Sequence, residues 1–250
     1  MAFFGLFNKD VLYFPGCHSS AFNEPKIKNW ERILKKLGVS FWIAEDFVCC
    51  GGFFEENGYE KELRKLAREN LNFLKEKGVK KIITSCALCF ETFKSYKNII
   101  PEWDIEVEFI LTTILNKIKE GDYVRNSFLE SVAYYDSCQL GRYAEITNEP
   151  REILKLIGFH VIELPKNKEE TLCCGSCGSL PITNQELADD IAFNFIRMLR
   201  RRKIKRLVTA DARAYQHLKE NFRKLGVANE EIELIDFSEI VCDGLGLKKE

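Results

Sequence analysis

Apolar and polar residues follow two rhythms along this chain, one typical of buried strands and the other of helices that bury one face. Short runs rich in β-branched and aromatic residues predict strands in the first half near 11–14, 39–43, 80–84 and 105–110. Longer stretches predict helices near 25–37 and 58–77. The second helix has an inward face formed by Leu63, Leu66, Ala67, Asn70, Leu71 and Leu74. Strands that alternate with helices in this way predict parallel sheets.

The same landmarks occur twice in the same order, which indicates an internal duplication. VLYFPGC at 11–17 resembles VAYYDSC at 132–138, and a CCG tripeptide follows in each half, at 49–51 and 173–175. KKIITS at 80–85 is then matched by KRLVTA at 205–210. The offset between matched segments changes only from about 120 to 125 residues, so the two halves are copies of one unit.

The duplication defines the predicted architecture. We expect an α/β protein of two tandem, pseudo-symmetric lobes with mainly parallel sheets. The first repeat covers residues 1–116, a charged linker covers 117–131, and the second repeat covers 132–250 with a long helix near 184–203. Because the carboxyl ends of parallel strands lie along one edge of a sheet, the strand-end loops that carry the cysteine motifs should share an edge in each lobe.

The composition of the chain excludes some classes of protein and favours others. The chain has 37 Lys and Arg against 38 Asp and Glu, so it lacks the excess positive charge that attracts nucleic acid. No run of about 18 apolar residues predicts a transmembrane segment, and no secretory signal is evident. We therefore predict a cytoplasmic protein that partner subunits can hold at a membrane. Ten cysteines in that compartment indicate metal or redox chemistry, because structural disulfides are rare there.

Five cysteines of the first repeat lie on three predicted loops. Cys17 follows the first strand, and Cys49 and Cys50 are adjacent. Cys86 and Cys89 are expected in the first turn of a helix, where unpaired backbone N–H groups and the helix dipole favour the thiolate form. Five sulfurs exceed the four ligands of a tetrahedral zinc ion. This set favours an iron-sulfur cluster over zinc.

Two neighbours of these cysteines are predicted to support the site. Gly51 allows the backbone to approach a bound group closely. His18 is placed to donate a hydrogen bond to a cluster sulfur, although an exposed position on the loop is equally compatible with the sequence.

At these motifs the chain resembles the family of cysteine-rich CCG domain proteins. The residues that carry the resemblance are YFPGC (13–17), CCGG (49–52), TSCALC (84–89), DSCQLGR (136–142), EPREIL (149–154) and CCG (173–175). The family includes the B-type subunit of heterodisulfide reductase and the iron-sulfur subunits of glycolate oxidase, anaerobic glycerol-3-phosphate dehydrogenase, lactate utilisation systems and E-type succinate dehydrogenases. The resemblance implies a 4Fe-4S cluster, in some members a non-cubane form, held by Cys17, Cys49, Cys50, Cys86 and Cys89.

The second repeat departs from this pattern. When TSCALC is aligned with TADARA (209–214), Asp211 lies opposite Cys86, and Ala214 lies opposite Cys89. A second site could still form from Cys138, Cys173, Cys174 and Cys177, with help from Asp211, and could take zinc or a second cluster. Alternatively these thiols form a redox-active pair or bind nothing, and Asp211 only caps a helix.

The predicted function is that of an iron-sulfur electron-transfer subunit of a multi-subunit oxidoreductase. A cluster alone does not exchange hydride, and no convincing glycine-rich phosphate loop is present for a flavin or nicotinamide. Turnover would therefore need a ferredoxin-type iron-sulfur subunit and a flavoprotein subunit, with electrons passing to a quinone pathway. Two alternatives remain: a disulfide reductase component that acts on a small disulfide substrate, and a zinc-stabilised assembly protein.

Overall fold

Two parallel sheets organise the part of the chain that the computed structural model describes, residues 10–22, 24–43, 49–121, 123 and 130–247. The first sheet has the order β1 (Val11–Phe14), β2 (Lys81–Thr84), β3 (Glu106–Phe109). The second has the order β5 (Phe159–Glu163), β4 (Glu130–Tyr134), β6 (Arg206–Thr209), β7 (Glu233–Asp236). All paired strands in both sheets are parallel. The predicted α/β fold class with two lobes is confirmed.

The strand predicted near 39–43 is reduced to one bridge. Trp42 pairs with Leu12 of β1, through one hydrogen bond from Tyr13 N to Trp42 O (2.9 Å) and one from Trp42 N to Val11 O (3.1 Å). In the second lobe β5 lies at the corresponding edge and pairs with β4 along five residues. The prediction was therefore too long, because among residues 39–43 only Trp42 pairs with β1 through the backbone.

The helices agree closely with the predicted periodicity. Those predicted near 25–37, 58–77 and 184–203 correspond to α2 (Glu24–Lys36), α4 (Glu60–Glu76) and α9 (Gln185–Arg201). The first lobe also contains α1 (Cys17–Phe22), α3 (Gly52–Glu56), α5 (Ala87–Ile99) and α6 (Ile110–Glu120). The second lobe contains α7 (Glu149–Leu156), α8 (Leu180–Thr183), α10 (Ala212–Lys224) and α11 (Phe237–Gly244). A π-helical turn covers Gln139–Tyr143, and a 3-10 turn covers Lys168–Glu170.

The boundary between the lobes stays a prediction. Helix α6 extends to Glu120 and so enters the predicted linker 117–131. Residues 122 and 124–129 of that linker lie outside the described part of the chain.

Side chains of β1 and β4 alternate between two cores, as the pleat requires. In β1, Leu12 and Phe14 pack beneath α4 and α5, whereas Tyr13 joins a core that contains residues of both lobes. In β4, Val132 and Tyr134 enter that same shared core, whereas Ala133 packs beneath α9 and α10. Helix α2 packs against α11, and α6 packs against α7, so the lobes meet through helices that cover one face of each sheet.

A buried ion pair crosses this junction. Lys26 Nζ on α2 lies 2.9 Å from Asp236 Oδ2 at the end of β7, and both side chains are less than one-tenth exposed. The ammonium group also lies 3.0 Å from the centroid of the Tyr215 ring.

Among the described residues, no helix combines the length and the apolar character needed to cross a membrane.

Candidate metal centres

Each cysteine of the first set lies where a strand ends or a helix begins. Cys17 opens α1 three residues beyond the end of β1, and the Cys49-Cys50 pair precedes α3. Cys86 is the N-cap residue of α5, and its sulfur accepts a hydrogen bond from the backbone N–H of Cys89 (3.2 Å). The predicted placement of Cys86 and Cys89 at a helix start therefore agrees with the structure. The N-terminal turn supplies donors that stabilise a thiolate.

The three loops converge on one point of the first lobe. The sulfurs of Cys17 and Cys49 are 3.8 Å apart. A methyl carbon added at Gly16 would lie 2.7 Å from Cβ of Cys86 and 3.2 Å from the sulfurs of both Cys86 and Cys89. Gly16 has a φ of 86°, a conformation that favours glycine. The loop of Cys17 thus packs directly against the loop of Cys86, and only a residue without a side chain permits that contact.

Two cysteines of this set form a disulfide in the structure. Cys86 and Cys89 are bonded, with their Cα atoms 5.1 Å apart. Cys17, Cys49 and Cys50 are not disulfide-bonded; Cys17 is exposed, Cys49 is half-buried and Cys50 is buried. The disulfide has to be reduced before all five sulfurs can act as ligands.

Hydrogen bonds with the backbone order the vicinal pair, and the two cysteines titrate in opposite directions: the hydrogen bond with Cys49, then burial, raise the pKa of Cys50. The backbone N–H of Gly51 donates to the sulfur of Cys49, and that of Gly52 donates to the sulfur of Cys50, each over 3.4 Å. Hydrogen bonding to Cys17, then to Cys50, lowers the pKa of Cys49 to about 2. The first of the two vicinal cysteines is therefore a thiolate at neutral pH.

The turn that contains Cys49 and Cys50 also accepts hydrogen bonds from two buried polar side chains, which were not predicted as site residues. Asn70 on α4 donates to the carbonyl of Cys49 (3.1 Å), and Tyr96 on α5 donates to the carbonyl of Cys50 (2.7 Å). The sequence carried one signal for this pair, because Asn70 is the single amide in an otherwise apolar inward face. Nothing in the sequence distinguished Tyr96 from an ordinary core aromatic residue.

In the second cysteine set, three sulfurs lie close together. The sulfurs of Cys138, Cys173 and Cys177 lie within 4.8 Å of one another, a grouping able to hold a metal ion. Cys138 is 2.8 Å from Cys177 and 3.8 Å from Cys173, measured between sulfurs. The backbone N–H of Gly175 donates to Cys173 (3.3 Å), and hydrogen bonds with Cys138, then with Cys177, lower the pKa of Cys173 to about 2.

Two other residues considered for this set lie outside the group of three sulfurs. The sulfur of Cys174 is buried and lies 3.4 Å from the hydroxyl of Ser176, and burial raises its pKa to about 11. The carboxylate of Asp211 accepts hydrogen bonds from the backbone N–H groups of Arg213 (2.9 Å) and Ala214 (3.4 Å). Asp211 therefore caps α10, the role that an aspartate at a helix start fills without any metal.

The two cysteine-bearing edges lie against each other. Glu56, at the end of α3, forms a two-contact ion pair with Arg213 at 3.3 and 3.4 Å, and both side chains are mostly buried. The next residue, Asn57, donates to the hydroxyl of Ser179 (2.9 Å), two residues after Cys177. The junction between the lobes thus holds the loops of both sets in fixed relation.

His18 lies at the same junction. Burial lowers the pKa of His18, and the charges that act on it most strongly are those of Asp211 and Arg213 from the second lobe. At neutral pH the ring is therefore uncharged. Its predicted role beside a cluster stays a prediction.

The remaining cysteine and the two other histidines are not among the predicted ligands. Cys242 is buried in the shared core, as expected for an isolated small apolar residue. His217 is buried, with Nε2 lying 3.2 Å from the carbonyl of Ala188, and His160 lies on the surface.

A comparison with known families finds one family that matches the chain twice. The model of the cysteine-rich domain named CCG matches residues 11–94 and again residues 132–219. These two stretches together cover more than half of the chain, and one lies in each lobe. The chain belongs to the CCG cysteine-rich domain family.

Curated relatives include several redox proteins. The D-type subunit of the dihydromethanophenazine:CoB--CoM heterodisulfide reductase of Methanosarcina mazei is 33% identical over 193 residues, 73% of this chain and 47% of the relative. EtfAB:quinone oxidoreductase of Syntrophomonas wolfei is 35% identical over 171 residues, 66% of this chain and 24% of the relative. An uncharacterised iron-sulfur protein of Methanocaldococcus jannaschii is 29% identical over 232 residues, 92% of this chain and 45% of the relative. The chain thus spans about half or less of the length of these relatives.

Proposed function

We propose that this chain is the iron-sulfur component of a larger oxidoreductase, and that its first lobe holds one 4Fe-4S cluster on five thiolates. The ligands are Cys17, Cys49, Cys50, Cys86 and Cys89. The observation that carries the proposal is the meeting of three distant loops at Cys17: its sulfur lies 3.8 Å from that of Cys49, and a methyl group added at the preceding Gly16 would touch the sulfurs of Cys86 and Cys89. The names of the relatives support it, since they describe an iron-sulfur protein and components of oxidoreductases.

The residues at this point fit such a group in number and chemistry. Thiolates are the usual protein ligands of iron-sulfur clusters, and five exceed what one tetrahedral zinc ion takes. Backbone N–H groups of Gly51, Gly52 and Cys89 donate to the sulfurs of Cys49, Cys50 and Cys86, and these donors would stabilise all three as thiolates once the Cys86–Cys89 disulfide is reduced. Buried Cys50 and Cys89 shield one side of the site from water, and exposed Cys17 leaves the other side open to a partner.

The need for partners follows from the chemistry. When bound, the cluster supplies one-electron transfer, and hydride chemistry has to come from another cofactor. We therefore propose a ferredoxin-type iron-sulfur subunit and a flavoprotein subunit as neighbours of this chain, with electrons passing to a quinone pathway. The exposed edge at Cys17 is the surface through which this exchange would occur.

Anaerobic isolation under reducing conditions tests the proposal. We expect a brown protein with about four irons and matching sulfide per chain. Cys50→Ser should lose most of the iron, whereas Cys242→Ser should keep it, although both cysteines are buried to a similar degree. A colourless protein with stoichiometric zinc would instead identify a zinc-stabilised assembly protein.

The alternative acceptor is a small disulfide, since one relative is part of a heterodisulfide reductase. Adding disulfides to the reduced protein separates the two activities. We expect no release of thiol in the absence of partner subunits, because the second repeat lacks the last two cysteines of the motif. Release of two thiols per disulfide, with the two electrons coming from oxidation of the cluster and with no new disulfide in the protein, would establish the reductase instead.

For the second set we propose a single zinc ion on Cys138, Cys173 and Cys177. A zinc–sulfur distance of about 2.3 Å places two thiolates of a tetrahedral site about 3.8 Å apart. The sulfurs of Cys138 and Cys173 have that separation, 3.8 Å, whereas those of Cys138 and Cys177 are 2.8 Å apart and would have to move apart on binding. The fourth ligand would come from outside this group of three sulfurs. Metal analysis should find one zinc per chain that Cys177→Ser removes and Cys242→Ser retains. Additional iron and sulfide at this set would identify a second cluster.

A further inference from the structure

Two buried polar side chains donate hydrogen bonds to the backbone of the Cys49-Cys50 turn. The amide of Asn70 donates to the Cys49 carbonyl (3.1 Å) and to the hydroxyl of Tyr96 (2.9 Å). Tyr96 in turn donates its hydroxyl proton to the Cys50 carbonyl (2.7 Å). Asn70 is 1% exposed and Tyr96 is fully buried. Each carbonyl of the vicinal pair therefore has its own side-chain donor.

This arrangement fixes the direction of the peptides that follow the two cysteines. A carbonyl and the next N–H belong to one planar peptide, so holding the carbonyl of Cys50 also aims the N–H of Gly51. That N–H donates to the sulfur of Cys49, and the N–H of Gly52 in the same turn donates to the sulfur of Cys50. The Tyr96 ring is itself held by Trp103, with ring centroids 4.9 Å apart.

The internal duplication provides a natural comparison. The offset of 125 residues that aligns Lys80 with Lys205 places Phe195 opposite Asn70 and Asn221 opposite Tyr96. Phe195 packs on the ring of Tyr135, with centroids 4.5 Å apart, and Asn221 donates to the carbonyl of His217 on its own helix. The second lobe builds the same fold without the pair. The polar pair thus accompanies the complete cysteine set, and general folding of the unit does not require it.

We propose that Asn70 and Tyr96 are positioning residues that set the reduction potential of the first-lobe cluster. By holding the carbonyls of Cys49 and Cys50, they keep the turn in the conformation in which backbone N–H groups point at the ligand sulfurs. Hydrogen bonds to ligand sulfurs withdraw electron density from a cluster and raise its potential. This inference rests on the proposed function of the first lobe.

The test compares two tyrosine-to-phenylalanine variants of the reduced, iron-loaded protein. Tyr96→Phe removes the donor to Cys50. Tyr135→Phe is the matched control, because Tyr135 is 1% exposed and donates to the carbonyl of Leu172 (2.9 Å) beside the second set. We expect Tyr96→Phe to keep its iron, to show a more negative potential and to change the electron paramagnetic resonance spectrum. Tyr135→Phe should lose a similar amount of stability and leave the potential and the spectrum unchanged.

The outcomes separate this inference from the proposed function. An unchanged potential and spectrum in Tyr96→Phe, or equal changes in both variants, would overturn the positioning role while the cluster itself stands. Loss of iron from Tyr96→Phe alone would also overturn it, since the pair would then be needed to retain the cluster and would not merely set its potential. A wild-type protein without iron would overturn the proposed function, and the positioning role would fall with it.

Discussion

Single residues decide whether the cysteine loops can meet, and Gly16 is the clearest case. Ten glycines adopt a positive φ among the described residues, but their surroundings differ widely. An added Cβ at Gly16 would collide with Cys86, whereas at Gly38, with a φ of 71°, it would meet nothing within 4 Å. The two positions therefore share backbone strain and differ in the clash alone.

We accordingly predict different results for alanine at these two sites. Gly38→Ala should lower the free energy of unfolding by about 1 to 2 kcal/mol and keep the iron, because only the left-handed backbone penalises alanine there. Gly16→Ala should carry the same backbone penalty and also lose most of its iron. Iron per chain and urea unfolding of both variants provide the measurements. Equal iron in the two would show that the loops do not meet at Gly16.

Cys242 belongs to neither of the two cysteine sets. Burial raises its pKa to about 11, so the thiol stays protonated at neutral pH. We predict that iodoacetamide at a pH of about 8 alkylates Cys242 slowly in the native protein and rapidly after unfolding, as peptide mass spectrometry would report. Because the folded state favours the thiol, this residue's stabilising contribution is complete below its unfolded pKa and is lost as the pH rises towards 11. Rapid alkylation of the native protein would contradict this prediction.

At the scale of elements, helix α2 ties the first lobe to the second through Lys26. The ion pair of Lys26 with Asp236 is buried, whereas Lys28, two residues on, forms its ion pair with Glu24 at the same distance of 2.9 Å on the exposed surface. A buried charge that loses its partner is strongly destabilising, but an exposed pair contributes little. The same substitution at the two lysines should therefore have very different effects.

We predict that Lys26→Met lowers the free energy of unfolding by about 3 to 5 kcal/mol, because it leaves Asp236 buried without its partner. Lys28→Met should lower it by at most about 0.5 kcal/mol. The double variant Lys26→Met with Asp236→Asn should recover part of the loss, since the uncompensated charge is gone. Urea unfolding measures all three, and equal losses for the two single variants would rule out the buried pair as an important link.

At the scale of the whole molecule, much was predictable because the chain contains its unit twice. Strand and helix periodicities, the CCG landmarks and the rule for parallel strand ends together predicted two α/β lobes and three cysteine loops on one edge of the first. The segment near 39–43 was overestimated, since β-rich composition does not reveal how much of a strand finds a partner.

The sequence patterns did not predict the contacts between the two lobes. Periodicity shows which face of a helix is inward, but it does not show which helix of one lobe meets which helix of the other. The pairs Lys26–Asp236 and Arg213–Glu56 join residues more than 150 positions apart, and both depend on that docking. Asn70 was expected to point inward, yet its partners Cys49 and Tyr96 come from other elements and became evident only in three dimensions.

The central claim is that the first cysteine set alone holds the cluster. The most direct test is the iron and sulfide content of a variant in which Cys138, Cys173, Cys174 and Cys177 are all replaced by serine, isolated without oxygen. We predict about four irons and matching sulfide per chain, as in the unaltered protein. Loss of the iron from this variant, with the first five cysteines intact, would contradict the account.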